Sequence, residues 1–186
     1  DLQTAAVLWS VPKEDTLQLR GASTARALLA GPFSASRGLP GSALQEGREV
    51  GVAPLHAGFN GLPYYSDVEG IGSALAVLIP APNEAAGGPA GPPAGVLCVD
   101  RASTEAFSPE DRRVLRIAAR KIALDVAVSQ RLKATDHERA TMGRFSAALQ
   151  RLNGALGLEQ SARAASDAAR ALIGADLVIV SEVDPE

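Results

Sequence analysis

The sequence predicts an α+β fold, in which an antiparallel sheet is flanked by helices on both faces and followed by a C-terminal helical extension. Residues 4–11 and 17–22 have the apolar character of strands, and the polar turn between them begins with a proline, which is typical of a hairpin. Residues 73–79 and 95–99 are continuously apolar, as expected for strands that are covered on both faces. From residue 109 onward, apolar side chains recur at helical spacing.

The region between the two strand pairs is rich in glycine. We expect a short helix over residues 24–30, followed by a loop-rich stretch over residues 31–72. Inside that stretch, residues 41–46 are predicted to form a helical turn that is closed by Gly47, and residues 50–55 a short strand.

Residues 82–94 form a low-complexity segment of proline, glycine and alanine. Such a composition cannot build a core, so we interpret the segment as a long, mobile hairpin loop between the two apolar strands. An inter-domain linker is the alternative.

The long C-terminal helix has a clear start. Ser108 is a good N-cap, Pro109 suits the first helical position, and Glu110 and Asp111 place carboxylates in the first turn. The helix is expected to reach about residue 134. The polar stretch that follows, residues 133–139, contains neither glycine nor proline, so the helix can continue through it.

Beyond this stretch, five apolar residues recur at alternating spacings of three and four and predict a dimer seam: Met142, Phe145, Leu149, Leu152 and Leu156. A helix packed on an adjacent domain is the alternative. Residues 158–172 predict a last helix capped by Gly174, and residues 177–181 a terminal strand. Because residues 178–186 loosely echo residues 7–15, we expect a tandem array, and the chain to be a piece of a longer protein.

Composition excludes several classes of function. Apolar residues make up 46% of the chain, enough for a core, and aromatic residues only 4%, so that core is built from aliphatic side chains. A net charge of −3 without basic clusters argues against nucleic acid and anionic membranes as partners. The single cysteine excludes an intramolecular disulfide and suits a reducing, cytoplasmic location.

Three stretches carry a resemblance to a known family. Residues 38–52 (GLPGSALQEGREVGV) resemble a glycine-punctuated turn-helix-turn, and residues 64–80 (YYSDVEGIGSALAVLIP) resemble the lead-in to a core strand. Residues 95–126 resemble a G-V-L strand, a short loop, a Phe-Ser-x-x-Asp segment and a long helix. In this order and spacing, the three stretches resemble the GAF domain family.

The resemblance implies a domain organisation. Residues 1–135 would be a GAF-like domain without its N-terminal helix, and residues 136–186 a linker helix plus the first helix and strand of a second GAF-like unit. Relatives of this kind are mostly small-molecule sensors or dimerisation modules in signalling proteins. We therefore expect a cytoplasmic, bacterial-type GAF sensor module that binds a small molecule and relays through a homodimer formed by helices in residues 110–172. A structural dimerisation and relay module without a ligand is the alternative.

This sequence lacks most of the residues on which the specialised chemistries of the family depend. Some relatives reduce free methionine sulfoxide through several cysteines, but here Cys98 is alone and lies in an apolar strand, where we expect an inert packing role. Some relatives bind haem through histidine, for which His56 alone is a weak candidate. The Asn-Lys pair of the cyclic-nucleotide signature is absent, so Arg101 or Arg112 would have to replace its lysine in a bridge to Asp111.

What remains is a possible pocket over the sheet, formed by residues 52–73. Aromatic and polar side chains are concentrated there in an otherwise aromatic-poor chain. The candidate ligand-binding residues are His56, Phe59, Tyr64, Tyr65, Asp67 and Ser73. Alternatively, the aromatic residues only anchor a long loop. The sequence indicates no catalytic residues, no metal site, no cofactor and no enzymatic activity of this chain; an output domain of the parent protein, such as a kinase or cyclase, would be separate.

Overall fold

One antiparallel sheet of six strands organises the N-terminal part of the chain. The computed structural model describes residues 2–56, 58–155, 157–173, 177 and 179. Within them the sheet order is β3-β2-β1-β6-β5-β4. The strands are β1 (Thr4–Val11), β2 (Thr16–Thr24), β3 (Phe33–Ser34), β4 (Val50–Val52), β5 (Ser73–Ile79) and β6 (Gly95–Arg101). The helices are α1 (Gly38–Glu46), α2 (Pro82–Ala85), α3 (Pro109–Asn153) and α4 (Leu158–Ile173). The α+β prediction is confirmed.

Strand β6 is the centre of the sheet, since it pairs with β1 on one side and with β5 on the other. Its residues alternate between two separate clusters of buried side chains, because successive side chains of a strand point to opposite faces. Val96 and Cys98 belong to the cluster on the first face, and Leu97 and Val99 to the cluster on the second face. The continuously apolar sequence of β6 follows from this double burial.

Different elements cover the two faces. On the first face, α1 contributes Leu39 and Ala43, and the connection between β4 and β5 contributes Leu62, Tyr64 and Ile71 to the core, among others. On the second face, the first turns of α3 supply Leu115, Ala119 and Ala123, joined by Phe107 and Ala85. Small alanines on the buried stripe of α3 allow the helix to approach the sheet closely.

The predicted helix over residues 24–30 is wrong. Strand β2 continues to Thr24, and the following residues are irregular. The amide of Leu29 donates to the carbonyl oxygen of Tyr64 at 2.9 Å, and the amide of Arg26 donates to the Thr24 hydroxyl at 3.0 Å. Seven residues are too few to nucleate a helix when tertiary contacts offer their backbone groups other partners.

Helix α1 is longer than expected, starting at Gly38 rather than at residue 41, and Gly47 closes it in the left-handed conformation with φ 64°. Gly38 itself has φ 70°, and a Cβ at this position would lie 2.6 Å from the carbonyl oxygen of Gly61. Only glycine therefore fits where α1 meets the β4–β5 connection. The predicted strand over residues 50–55 is confirmed only as far as Val52.

Helix α3 begins at the predicted cap. The amide of Asp111 donates to Oγ of Ser108 at 3.1 Å, and the amide of Ser108 donates to Oδ2 of Asp111 at 3.0 Å. This reciprocal pair satisfies two amides that the first turn leaves free. The helix then continues without a break through residues 133–139, as its lack of glycine and proline allows.

The chain divides into two compact units, Asp1–Val128 and Ser129–Glu186. The first contains the sheet, and the second the later turns of α3 followed by α4, which ends at Ile173. Leu156, Gly174 and most of the predicted terminal strand lie outside the described residues, so the tandem arrangement stays a prediction.

The connection between β5 and β6 is a hairpin loop, since Ile79 pairs with Gly95. The linker interpretation is therefore wrong. Its first residues form α2, and Ala85 is 5% exposed and packs in the second-face cluster. Part of the segment thus contributes to the core, contrary to the expectation from its composition.

We predict that the two halves of this loop differ in their effect on stability. Replacing residues 87–92 by a Gly-Asn turn should change the free energy of unfolding by less than about 1 kcal/mol, because shortening a flexible loop changes closure entropy little. Ala85→Asp should lower it by about 2 kcal/mol or more, because an unpaired carboxylate enters the core. Urea titrations measure both, and an equal effect of the two changes would contradict the assignment.

Candidate functional site

The connection between β4 and β5 forms two adjoining cavities on the first face of the sheet. The smaller, of about 260 Å³, is lined by Phe59, Asn60, Leu62, Pro63, Tyr65 and Ser66 together with Gly58, Asp67 and Val68. The last three residues also line the larger cavity, of about 490 Å³, with Leu55, His56, Glu69, Gly70 and Ile71. This is the region that the sequence indicates as a pocket.

Four of the six candidate ligand-binding residues line these cavities. Phe59, Tyr65 and Asp67 border the smaller one, and His56 and Asp67 the larger one. The rings of His56 and Phe59 meet edge to face, with centroids 5.9 Å apart. The fifth candidate, Tyr64, does not line either cavity; it is fully buried, and its ring centroid lies 4.9 Å from that of Tyr65.

The structure does not bring Ser73 to these cavities. Ser73 alternates with Ala74, which belongs to the first-face cluster, so its side chain points toward the second face. There its Oγ accepts a hydrogen bond from Nε of Arg101 at 3.2 Å. Ser73 thus serves the α3 side of the sheet.

A series of hydrogen-bonded groups includes Tyr65, which lines the smaller cavity. The hydroxyls of Thr24 and Thr4 are 2.7 Å apart, and the Tyr65 hydroxyl is within hydrogen-bonding distance of the Thr4 hydroxyl. The Tyr65 hydroxyl also lies 2.9 Å from Oδ2 of Asp100. Thr4 and Asp100 are directly opposite each other in the β1–β6 pair, so strand register fixes one end of this series.

The number of protons on the hydroxyls fixes the direction of these hydrogen bonds. Each hydroxyl has one proton, so Tyr65 can donate to only one neighbour, and a carboxylate is the stronger acceptor. The Thr4 hydroxyl then donates to Tyr65, and the Thr24 hydroxyl to Thr4. The amide of Arg26 donates to Thr24 at 3.0 Å and completes the series. Every donor points toward Asp100, which is the arrangement that stabilises a carboxylate at the end of the series.

Only one of the two carboxylate oxygens of Asp100 has a hydrogen-bond partner in hydrogen-bonding geometry. Asp100 is fully buried, and its second oxygen, Oδ1, has no hydrogen-bond partner. Burial raises the pKa of Asp100 from 3.8 to about 6, against the Tyr65 hydrogen bond, the nearby Arg26 charge and the Thr4 backbone, which lower it. Burial, together with the Asp100 charge and hydrogen bond, also raises the pKa of Tyr65 to about 12.

Cys98 lies next to this group, on the same face of β6 and fully buried. Burial raises the pKa of its thiol, and the Asp100 charge adds to that effect. The Tyr64 hydroxyl is close enough to influence the pKa of Cys98, but it has no partner in hydrogen-bonding geometry. A buried thiol with a raised pKa is a poor nucleophile, which agrees with the expected packing role.

The sequence analysis missed Arg26 and Asp100. The guanidinium of Arg26 donates to the carbonyl oxygens of Glu69, at 2.8 Å, and Asp67, at 3.2 Å, and lies 5.1 Å from the centre of the Tyr65 ring. Arg26 therefore connects the residues after β2 with Asp67 and Glu69 in the cavity wall. The incorrect helix over residues 24–30 concealed Arg26, whereas a single acidic residue at the end of an apolar strand was a signal for Asp100.

The bridge of the cyclic-nucleotide signature, in which an arginine would have to replace lysine, is formed here by Arg101 and Asp111. Arg101 lies 3.5 Å from Asp111, and its guanidinium stacks over the Phe107 ring at 4.3 Å. Arg101 also donates to the carbonyl oxygens of Glu105 and Ala106. These contacts fix the loop between β6 and α3, and so explain the bridge by local structure.

In the part of the chain that the structure describes, no three His, Cys, Asp or Glu side chains are grouped as a metal site would require. Among the same residues, no helix combines the length and the apolar character that crossing a membrane would need.

We predict that a thiol reagent labels Cys98 only after denaturation, because the side chain is inaccessible and its pKa is raised. Labelling with a chromogenic disulfide, with and without urea, measures this. Fast labelling of the native protein would contradict the packing role.

We also predict a pH-dependent stability effect of Asp100. Because its pKa is higher in the folded protein than in the unfolded chain, ionisation of this group weakens stability as pH rises from about 4 to 6. Asp100→Asn should therefore raise the free energy of unfolding by about 1–3 kcal/mol at pH 8 and have a smaller effect at pH 4. Urea titrations at both pH values measure this, with exposed Asp136→Asn as the control. A gain that is no larger at pH 8 would contradict the assignment.

Known proteins match this chain by structure and not by sequence. No protein-family model matches it, and no curated protein matches it either. A GAF domain of a phosphoenolpyruvate-protein phosphotransferase from Coxiella burnetii aligns with a TM-score of 0.55 at 15% identity, over 72% of this chain and 76% of that one. The GAF domain of a two-component sensor histidine kinase from Bacillus halodurans aligns with a TM-score of 0.55 at 16% identity, over 72% and 86%.

A third similar structure is an enzyme. Free methionine-R-sulfoxide reductase from Neisseria meningitidis, in complex with its substrate, aligns with a TM-score of 0.53 at 19% identity, over 71% of each chain. At these identities the similarity establishes the fold alone. The sheet order, the helix on each face and these alignments agree with the family resemblance of the sequence, and the chain therefore has the fold of a GAF domain.

Proposed function

We propose that this chain is a GAF sensor module of a bacterial-type signal-transduction protein in the cytoplasm. In this proposal a small organic molecule binds in the cavities between β4 and β5, and the long helix relays the change through a homodimer. The observation that carries the proposal is the pair of adjoining cavities, lined by Phe59, Tyr65 and Asp67, with the Tyr65 hydroxyl bonded to the buried Asp100. These cavities are open clefts whose lining mixes aromatic, aliphatic and polar side chains, and a concave surface with a few polar groups is a default candidate for a small-molecule site.

The similar GAF domain of a sensor histidine kinase supports this function by analogy of fold. The similar reductase suggests an enzyme instead. Reduction of a sulfoxide by a thiol leaves a sulfenate, which a second thiol normally resolves. The sequence contains one cysteine, and Cys98 is fully buried. We therefore propose binding and not catalysis.

A ligand screen tests the sensor proposal. A compound that binds only the folded state raises the melting temperature, by an amount that grows with the logarithm of the ratio of its concentration to its Kd. Val68 lines both cavities, so Val68→Phe should abolish the shift, whereas Ala90→Phe, on the exposed β5–β6 loop, should preserve it. A broad metabolite library that gives no shift, or shifts that Val68→Phe leaves intact, would contradict binding in these cavities.

A dimerisation module without a ligand is the second candidate function. Exposed apolar residues on α3 favour dimerisation. In the second unit, Met142, Phe145 and Leu149 are 68%, 47% and 43% exposed. Leu152 is half-buried, and Leu156 lies outside the described residues. In the first unit the same helix exposes Val114, Ile117 and Val128.

Most of these residues, together with the half-buried Leu152, fall on two positions of one heptad register. Val114, Val128, Met142 and Leu149 are separated by multiples of seven, as are Ile117, Phe145 and Leu152. Lys121 and Thr135 interrupt the first series, and Arg131 and Glu138 the second, so both positions are apolar in consecutive heptads only over residues 142–152. Apolar residues at two positions of a heptad are typical of a coiled-coil seam. The spacing supports a homodimer through residues 110–172.

We predict that Leu149→Glu combined with Leu152→Glu converts a dimer into a monomer, because two unpaired carboxylates would enter the seam. Light scattering at tens of micromolar measures the mass, and circular dichroism checks the fold. Ala147→Glu with Gln150→Glu adds the same charge at exposed positions outside the seam and should preserve the dimer. A monomeric wild-type chain would contradict the dimer proposal.

A further inference from the structure

A third cavity lies on the α3 side of the sheet, beside the edge that β4 forms. Strand β4 pairs with β5 only over residues 50–52, opposite residues 74–76, so the last residues of β5 have no partner from β4. The turn between α1 and β4 and the first turns of α3 face this end of β5 across a cavity of about 500 Å³. The cavity is lined by Gly47, Arg48, Glu49, Val77, Leu78, Arg112 and Arg116.

Positive charge predominates in this lining. Glu49 is the one carboxylate among the described residues that line the cavity. Two arginines of α3 share it, since Nη1 of Arg116 lies 3.1 Å from Oε2 of Glu49 and Nη1 of Arg112 lies 3.3 Å from Oε1. The remaining arginine, Arg48, pairs with Glu46 at the surface. Three guanidinium groups therefore face two carboxylates, which leaves an excess of one positive charge.

The same side of α3 carries one more arginine. Arg112, Arg116 and Arg120 follow one another at intervals of four residues, which places them on adjacent turns of one side of the helix. Like charges at this spacing destabilise a helix unless opposite charges offset them. In the part of the chain that the structure describes, Glu49 is the only carboxylate that pairs with any of the three. An anion in the cavity would offset the remaining charge.

The two arginines of α3 that line the cavity keep donors for a ligand. Arg112 donates from Nε to the carbonyl oxygen of Phe107, at 3.2 Å, and from Nη1 to Glu49. Arg116 donates from Nη1 to both oxygens of Glu49, at 3.2 Å and 3.1 Å. Among the described residues, Nη2 of Arg112 and both Nε and Nη2 of Arg116 have no hydrogen-bond partner. Planar guanidinium groups suit the oxygens of carboxylates and phosphates, to which they can donate two parallel hydrogen bonds.

We propose that this cavity binds a small organic anion, whose carboxylate or phosphate group accepts hydrogen bonds from the guanidinium groups of Arg112 and Arg116. Val77 and Leu78 make another part of the lining apolar, and the body of the ligand contacts them. The site is separate from the two sensor cavities, because it shares no lining residue with them. It is a second binding site, and it does not depend on the proposed function.

Calorimetric titrations of the full chain test this proposal at low ionic strength, because salt screens exposed guanidinium groups. The probes are phenyl phosphate and benzoate, with benzyl alcohol and benzylammonium as the neutral and cationic counterparts. At least one of the two anions should bind, and the two counterparts should bind at least about tenfold more weakly, because they lack a charged acceptor. Inorganic phosphate should bind more weakly than phenyl phosphate, because it makes no apolar contact with β5.

Variants of the lining locate the site. Arg116→Gln should weaken anion binding at least about tenfold, because charge-assisted hydrogen bonds are lost. Arg113→Gln removes the same charge at an exposed neighbouring position outside the lining, and it should change binding little. Glu49→Gln should strengthen binding, because the ligand then no longer competes with a carboxylate for the same two guanidinium groups. A gain in affinity cannot result from damage to the fold.

Several outcomes would overturn the proposal. Equal binding of all four probes, or anion binding that neither Arg116→Gln nor Glu49→Gln changes, would refute the assigned residues. Val68→Phe fills the sensor cavities only and should preserve anion binding. Anion binding that Val68→Phe abolishes and Arg116→Gln preserves would refute this site and support the sensor cavities. Failure of both anions to bind would refute this site alone, because the broad library tests the sensor proposal separately.

Discussion

The double burial of strand β6 is the constraint on which the rest of the first unit depends. A strand that is paired on both edges and covered on both faces can hold polar side chains only where neighbours satisfy them. Cys98, in the middle of β6, meets this constraint as a small packing residue. Asp100 does not meet it fully, since one of its oxygens is buried without a partner. The departure occurs at the end of the strand where the β4–β5 connection crosses the sheet, which is where the cavities lie.

The same few contacts connect the wall of the cavity with its base. Tyr65 contributes its ring to the wall and its hydroxyl to Asp100, while Arg26 binds the carbonyls of the wall and stacks over Tyr65. Any ligand that moves Tyr65 therefore changes the contacts of Arg26, and through Thr24 those of the end of β2. In the proposed sensor, these contacts would couple occupancy of the cavities to the position of the wall, provided that the ligand binds one position of Tyr65 better than another.

The extent to which sequence predicts this structure depends on how local the signal is. The β1–β2 hairpin, the cap at Ser108 and the apolar strands follow from short patterns, and all three are confirmed. The helix over residues 24–30 is wrong because tertiary partners for Leu29 and Arg26 outweigh a weak local preference. The pocket region was indicated by its aromatic residues, but its polar base joins Thr4, Tyr65 and Asp100 from three distant segments, and no local pattern encodes that. Ser73 was wrongly assigned to the pocket, because one serine at the start of an apolar strand does not show to which face of the sheet its side chain points.

The charge state of Asp100 tests this account most directly. Carbon-13 labelling of aspartate and a pH titration of the Asp100 carboxyl resonance, assigned by its loss in Asp100→Asn, would report its pKa in the folded protein. The account predicts a midpoint near 6, because burial disfavours the charged carboxylate. A midpoint near 4 would contradict the account, since the carboxylate would then be as well solvated as in the unfolded chain.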